Sequence, residues 1–394
     1  METWQSNLLF SWVAQFFSIM GFGFALPFAP FYLQELGVTG EAQINFWTGL
    51  FASVAGVTMA IMAPIWGYLA DRIGKKPMTL RASLGGAFVM VGMAFAQSPA
   101  MLLVFRLLQG VFTGTVTAYL TLVVTSTPKE RMGLAIGVMN SAVFFGNSVS
   151  PLLGGLFADL FGYRASFLVA AGLLFMSFLL SLIFVHESVK PETPPAFSLF
   201  ADLRALLSNA GVVALIGMLS IYAFSQNIQK PLLPLVVQDL VATARGLATQ
   251  AGIVNSAGGV ASILAGILIG AIADRGRTLK IGVACALTGS VFVFLMAFVA
   301  QVWQLILLSF LFAFFSGGLE PILKVLLVRI VPVEKRGAAF GLTASASAIG
   351  WATGALGGGA CAAMLGLHSI FVVSAVFFVG IAGLLMLFGR GKDY

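Results

Sequence analysis

The chain contains twelve long apolar segments separated by short polar interruptions, and this pattern restricts its possible folds more than any other feature. A helix needs about 20 apolar residues to cross a hydrocarbon core about 30 Å thick, and it satisfies all its backbone polar groups within that one segment. With 59% hydrophobic and 9% charged residues, the chain has too little polar surface for a water-soluble domain of 394 residues. The predicted spans, numbered 1 to 12, are 7–35, 45–69, 79–97, 99–124, 132–158, 165–186, 210–239, 246–271, 279–299, 302–328, 337–362 and 367–388. The sequence therefore predicts an all-α membrane protein with twelve transmembrane helices.

Lysine and arginine are distributed unevenly between the two ends of these spans. Short cytoplasmic loops retain basic residues. With the N-terminus in the cytoplasm, 16 of the 21 basic residues lie in cytoplasmic segments, and only Arg164 and Arg245 lie on the opposite side. Both termini are therefore expected in the cytoplasm. The net charge of +7 follows from this topology, with some attraction to anionic membrane lipid, and gives no reason to propose a nucleic acid as partner.

The second half of the chain repeats the first. The segment "LPFAPFYLQEL" at 26–36 returns as "KPLLPLVVQDL" at 230–240, and "GYLADR" at 67–72 returns as "GAIADR" at 270–275. We therefore predict two six-helix pseudo-symmetric halves, 1–188 and 210–394, joined by a cytoplasmic linker at 189–209 that ends in a short amphipathic piece. Two such halves of parallel orientation are typical of alternating-access transporters. No nucleophile or metal constellation is visible, so the sequence predicts a transporter and not an enzyme.

Three motifs in this order resemble the major facilitator superfamily. The loop "GYLADRIGKKP" at 67–77 is similar to the loop that follows the second helix of that family, and "RLLQG" at 106–110 is similar to its Arg-x-x-Gln-Gly motif. Span 5 resembles the signature of the drug:proton antiporter branch, Gly-x8-Gly-x3-Gly-Pro-x2-Gly-Gly, with Ser150 in place of the third glycine. Span 1 is similar to that of the MdtG-like multidrug exporters in its Pro-x-x-Pro tract. The matching residues are Gly67, Asp71, Arg72, Gly74, Lys75 and Lys76 in the loop, and Gly137, Gly146, Pro151, Gly154 and Gly155 in span 5.

The resemblance implies the major facilitator fold and export of a small-molecule substrate in exchange for protons. It implies a multi-pass protein of the bacterial cytoplasmic (inner) membrane, with membrane lipid around it. No cofactor is expected, because the proton gradient supplies the energy, and no metal site is expected, because the two histidines are isolated. We expect a monomer.

Each motif also has a physical interpretation that does not depend on the family. The charge cluster around Asp71 can pair with groups on a neighbouring helix and hold the cytoplasmic side closed, and a solvated basic loop is the alternative. The glycines of span 5 remove side chains from one face so that another helix can approach closely, and Pro151 removes one helical hydrogen bond. Ordinary helix packing is the alternative for these glycines, although a close seam between spans 5 and 8 would itself resist leak.

Four ionisable residues lie away from the ends of the predicted spans: Arg106, Lys230, Glu320 and Lys324. Insertion scales place a charge at the centre of a span about 2.5–3.5 kcal/mol against insertion, so each is a candidate functional residue. In the superfamily fold, spans 1, 4, 7 and 10 face a central cavity, so the resemblance implies that these charges share one chamber. Glu320 is the only acid deep within a span, and we predict that it accepts the transported proton. A structural ion pair of Glu320 with Lys324 or Lys230 is the alternative.

Three cations against one deep carboxylate favour an anionic or zwitterionic substrate. Span 1 lacks the acid that many drug exporters of the family carry there, which weakens the case for cationic drugs. The predicted substrate cavity consists of Phe24, Arg106, Gln109, Thr113, Asn140, Asn147, Gln226, Asn227, Lys230 and Lys324. The sequence thus predicts a proton-coupled exporter of small amphipathic compounds. An importer or facilitator of an anionic metabolite is the first alternative, and a non-transporting membrane receptor is the second.

Overall fold

The computed structural model describes residues 3–187, 206–241, 246–273, 278–332 and 335–390, and within these ranges it contains helices and no strand. Its α-helices are α1 (Thr3–Ala25), α2 (Ala29–Glu35), α3 (Glu41–Ile73), α4 (Lys75–Ala94), α5 (Pro99–Phe112), α6 (Thr115–Ser126), α7 (Met132–Phe161), α8 (Tyr163–Phe184), α9 (Ala210–Gln229), α10 (Leu233–Leu240), α11 (Leu247–Ala273), α12 (Thr278–Leu295), α13 (Val302–Gly317), α14 (Leu319–Ile330), α15 (Arg336–Leu365) and α16 (Ser369–Arg390). Most of the predicted linker, with its amphipathic piece, lies outside the described residues.

The helices reproduce the predicted spans. Eleven described segments, each counted through any short interruption, are long and apolar enough to cross a membrane. The remaining predicted span, 79–97, forms the 20-residue helix α4, which is less apolar because it carries Lys75, Lys76 and Arg81. The prediction of an all-α fold with about twelve spans is therefore confirmed.

Spans 1 and 7, which are equivalent in the repeat, are each interrupted by a short 3-10 turn. The turns are Leu26–Phe28, between α1 and α2, and Lys230–Leu232, between α9 and α10. Proline causes both interruptions, because Pro27 and Pro231 lack the N–H that a continuous helix needs. The Pro-x-x-Pro sequence that the two halves share thus produces a 3-10 turn in each half.

Spans 4 and 10, the second equivalent pair, are interrupted as well. Span 4 leaves the helical conformation at Thr113 and Gly114, and the φ of Gly114 is 109°, a left-handed value that favours glycine. Span 10 is divided at Gly318, between α13 and α14. Non-helical backbone at membrane depth is tolerated where protein or a water-filled cavity satisfies it. Interrupted helices are therefore the places where a transporter of this architecture would hold its ligands.

The chain forms two compact units. The first consists of residues 1–39, 57–195 and 243–256, and the second of residues 40–56, 196–242 and 257–394. In the first unit α1 packs against α7 and α8, and in the second α9 packs against α15 and α12 against α16. The first turns of α11 therefore lie in the same unit as α7, and the first turns of α3 lie in the same unit as α15. The division of the chain at 189–209 stays a prediction.

A cluster of hydroxyl groups around Tyr119 connects three helices in the interior of the first unit. The Tyr119 side chain is fully buried, and its hydroxyl lies 2.6 Å from the hydroxyl of Ser181, 3.0 Å from that of Ser177 and 3.4 Å from that of Ser83. Because buried hydroxyls are costly without partners, this cluster sets the relative rotation of α4, α6 and α8.

Candidate functional site

The ionisable residues of span 10 form an ion pair in the second unit. The Lys324 ammonium lies 2.6 Å from the Glu320 carboxylate, one helical turn away on α14. The exposed fractions of the two side chains are 43% and 44%, so the pair is half-exposed and not buried in the core. Glu320 lies in the first turn of α14, immediately after the interruption at Gly318.

Polar side chains connect this pair to span 7. The amide of Gln226 on α9 donates hydrogen bonds to the Tyr222 hydroxyl at 3.0 Å and to the Ser316 hydroxyl at 3.0 Å. Glu320 lies close enough to Tyr222 for an electrostatic interaction. Hydrogen bonds therefore join α9 to the end of α13, just before the interruption of span 10. Sequence reasoning missed Tyr222 and Ser316, although each precedes a predicted site residue by one helical turn.

Lys230 occupies the 3-10 turn that divides span 7, and its side chain is exposed. Among the described residues, no carboxylate lies within 4.0 Å of its ammonium group, so the alternative pair with Glu320 is not formed. Asn227, one turn before the interruption, donates to the carbonyl of Ala223 on its own helix at 3.0 Å. The second unit therefore presents a cation, Lys230, with no anion of the described chain against it.

In the first unit, the predicted residues of span 4 lie on the last turns of α5 and at its end. Arg106 donates to the side-chain oxygen of Gln109, one turn later, and Gln109 is buried. Thr113 is the first residue beyond α5. The three residues therefore lead directly into the interruption of span 4.

Two side chains that sequence reasoning did not place at a site hold the end of α5. Trp66 donates from Nε1 to the carbonyl of Val111 at 2.7 Å, and Arg81 donates from Nη2 to the carbonyl of Thr113 at 2.9 Å. The Arg81 guanidinium also lies over the Trp66 ring, 3.6 Å from its centroid. The last carbonyls of a helix have no partner within it and carry its negative dipole end. The pair thus stabilises the interruption, whereas sequence reasoning had counted Arg81 only as a cytoplasmic basic residue.

The other predicted cavity residues of the first unit are divided between packing and exposed positions. Phe24 is buried, and its ring lies 5.7 Å from that of Phe157 on α7. Asn140 and Asn147 lie two turns apart on α7 and are both exposed. Phe24 therefore packs α1 against α7, whereas the two asparagines take no part in this packing.

The glycines of the span 5 signature make close contacts along most of its length. A Cβ on Gly154 would collide with the carbonyl of Phe24 on α1, and a Cβ on Gly155 would collide with the carbonyl of Ala248 on α11. Gly146 faces Ile19 of α1, while Gly137 has no close neighbour. Close backbone approach thus explains Gly154 and Gly155, and the side chain of Ile19 explains Gly146. Pro151 lies within the same helix.

The loop motif contains a helix cap. The Glu187 carboxylate accepts hydrogen bonds from the backbone N–H groups of Lys75 at 2.7 Å and Lys76 at 3.0 Å, at the start of α4. The φ of Gly74 is 102°, and a Cβ there would lie 2.6 Å from a Glu187 oxygen. Gly74 is therefore required by conformation and by space, and Glu187 is a partner that the sequence did not identify. The Arg72 guanidinium lies 4.5 Å from the ring centroid of Tyr68, and the Asp71 side chain lies outside the described part of the chain.

Within the described ranges, no three His, Cys, Asp or Glu side chains are grouped so that they could hold a metal ion. The described residues instead provide one half-exposed acid, one exposed lysine and four interrupted spans. A polytopic helical protein with interrupted spans is typical of the class of secondary transporters.

Comparison with known proteins identifies the family. The Major Facilitator Superfamily pattern matches residues 11–240 and 215–393, so the chain belongs to this superfamily of transporters, which are not enzymes. The chain is 34% identical over 378 residues to the multidrug resistance protein MdtG of Salmonella dublin, a match that covers 94% of this chain and 92% of that relative. It is also 34% identical over 379 residues to MdtG of Enterobacter lignolyticus, covering 95% and 90%. The resemblance read from the motifs is therefore confirmed.

Solved structures support the same fold. The nucleoside transporter NupG matches with a TM-score of 0.79 over 100% of both chains at 14% sequence identity. The human organic anion transporter MFSD10 (TETRAN) matches with a TM-score of 0.69 over 98% of this chain and 100% of that one, at 19% identity. At such identities the likeness defines the fold and carries no information about substrate.

Proposed function

We propose that this chain is a proton-coupled exporter of small amphipathic compounds, of the multidrug efflux type, working by alternating access. The observation that carries the proposal is the half-exposed carboxylate of Glu320 beside an interruption in span 10. Relatives that match nearly the whole chain are named multidrug resistance proteins, which supports the efflux direction.

Glu320 has the surroundings that a proton-coupling acid needs. It lies beside Lys324 in the first turn of α14, within an otherwise apolar span, and its side chain is half-exposed. A carboxylate in such a setting is a candidate for binding and releasing a proton as its surroundings change.

The proposed substrates carry an anionic or zwitterionic group. Lys230 is exposed beside an interruption and has no carboxylate of the described residues against it, so it is available to a substrate anion. We further propose that the protein works as a monomer in the bacterial inner membrane, with both termini in the cytoplasm. The proton gradient, and no cofactor, is its proposed energy source.

Transport into membrane vesicles tests the proposal. Everted vesicles that contain the protein and have an acidic lumen, so that protons flow outward, should accumulate an anionic fluorescent dye, and a protonophore should abolish the accumulation. A cationic dye of similar size tests the charge preference, and vesicles without the protein provide the control. Proton-driven accumulation in right-side-out vesicles alone would identify an importer and overturn the proposal.

A further inference from the structure

The start of α11 lies directly on α7. A Cβ on Gly155 would collide with the carbonyl of Ala248, and a Cβ on Gly252 would collide with the carbonyl of Pro151. The two backbones therefore touch without intervening side chains, and we call this contact the α7–α11 seam. All its residues belong to the first compact unit. Contacts this close hold only while the helices keep their present separation, because packing forces fall off within about 1 Å.

One carboxylate fastens the seam. Asp159, in the last turn of α7, accepts hydrogen bonds from the backbone N–H of Thr249 at 2.8 Å and of Ala248 at 3.1 Å. It also accepts a hydrogen bond from the Thr249 hydroxyl. The first N–H groups of α11 have no acceptor within their own helix, and an anion is favoured at this end of the helix dipole. Asp159 thus caps one helix from the end of another.

The repeat contains an equivalent contact between two helices, and this second contact lacks the carboxylate. In the second unit, a Cβ on Gly49 of α3 would lie 2.6 Å from the carbonyl of Ala355 on α15. A Cβ on Gly359 would likewise lie 2.7 Å from the carbonyl of Asn45. Gly49 and Ala355 correspond in the repeat to Gly252 and Pro151, so the backbone contact is duplicated. We call it the α3–α15 seam.

The polar groups of the two seams differ. Ala363 stands in the position of Asp159, one turn beyond Gly359, so no carboxylate is available there. The α3–α15 seam instead has a hydrogen bond from the Asn45 side chain to the carbonyl of Ala362 at 3.4 Å, near the limit for such a bond. The packing is therefore a property of the fold, whereas the cap belongs to one seam alone.

We infer that Asp159 is a latch that holds the α7–α11 seam closed, and hence a positioning residue for the transport cycle proposed above. It touches no proposed substrate or proton group and acts by fixing where α11 begins. When α11 moves away from α7, three hydrogen bonds to one carboxylate are lost together. The glycine packing is common to both seams, whereas the carboxylate belongs to the α7–α11 seam alone. We therefore expect Asp159 to set much of the balance between the closed and open states of this seam.

The rate at which the seam opens can be measured directly. Ala248 is fully buried, so the thiol of an Ala248→Cys variant, made with Cys285 and Cys361 replaced by serine, reacts with a polar maleimide only when the seam opens. Asp159→Ala should accelerate the labelling about fivefold to thirtyfold, the factor expected for loss of a helix N-cap. Asp159→Glu keeps the charge and should restore much of the protection. Asn45→Ala, in the other seam, is the matched control and should leave this rate unchanged.

A second variant keeps the volume of the side chain. Asp159→Asn retains one acceptor oxygen and loses the charge, so it should accelerate labelling of the Ala248→Cys thiol, but less than Asp159→Ala does. This variant decides the matter if the Asp159→Ala protein does not fold. Unchanged labelling in folded Asp159→Ala or Asp159→Asn protein would overturn the inference.

The inference rests on the proposed function only for its role in a transport cycle. Labelling needs neither substrate nor a proton gradient. A working latch in a protein that exports nothing would therefore refute the proposed function and leave the seam mechanism in place.

Discussion

Replacing Glu320 by glutamine separates its structural role, the ion pair with Lys324, from its proposed role in binding the transported proton. An i,i+4 ion pair contributes about 0.3–0.5 kcal/mol at exposed sites, and these side chains are 43% and 44% exposed. The position of Glu320 in the first turn of α14 adds about 0.3–1 kcal/mol through the helix dipole. The Glu320→Gln variant should therefore lose no more than about 1.5 kcal/mol of stability, and it should fold and insert normally.

The same variant should lose proton-driven transport completely, because glutamine cannot bind and release the coupled proton. The assay is uptake into reconstituted vesicles after a pH jump, compared with exchange of substrate at equal pH on both sides, which needs no net proton movement. Lys324→Gln is the matched control, since it removes the same ion pair but keeps the acid. Equal losses in the two variants would show that the ion pair matters and proton binding does not. Coupled transport that survives in Glu320→Gln would remove Glu320 from the mechanism.

Three further predictions concern residues with structural explanations. Gly74→Ala should destabilise the protein by about 1–2 kcal/mol, because its positive φ disfavours a side chain and Glu187 occupies the space a Cβ would need, as thermal unfolding would reveal. Trp66→Phe keeps the ring under Arg81 but removes the donor to the Val111 carbonyl, so amide hydrogen exchange around residues 111–115 should accelerate about fivefold, whereas no change would show that the bond is dispensable. Lys230→Leu should lower transport of an anionic substrate about tenfold more than that of a neutral one, with unchanged thermal stability; equal losses would contradict its assignment as an anion contact.

Much of the fold could be predicted because it depends on short-range chemistry. The lengths of the apolar segments set the helices, and Pro27 and Pro231 interrupt spans 1 and 7 through the absence of an N–H group. The interruption at Gly114 is also local in origin, although no sequence pattern distinguished this glycine from the many others. The family motifs were readable because they keep their residue types and spacing.

The candidate site could be predicted only in part. Glu320 and Lys324 were found because a charge within an apolar span is conspicuous and because residues four apart on a helix face each other. Tyr222 and Ser316 were missed, since hydroxyl groups are common in membrane helices and nothing local shows which of them meets a partner. Phe24, a predicted cavity residue, is buried beside Phe157, a contact that depends on the rotation of α1 about its axis and that the sequence does not show.

The sequence by itself thus determined which segments form helices, and which family the chain belongs to, because these depend on the chemistry of neighbouring residues. Tertiary structure alone decided that Glu187 caps α4 and that Asp159 caps α11, over separations of more than 80 residues along the chain. A carboxylate near a loop carries no local sign of which helix end it will meet. That partner is selected by the tilt and rotation of packed helices, which arise from the whole set of contacts.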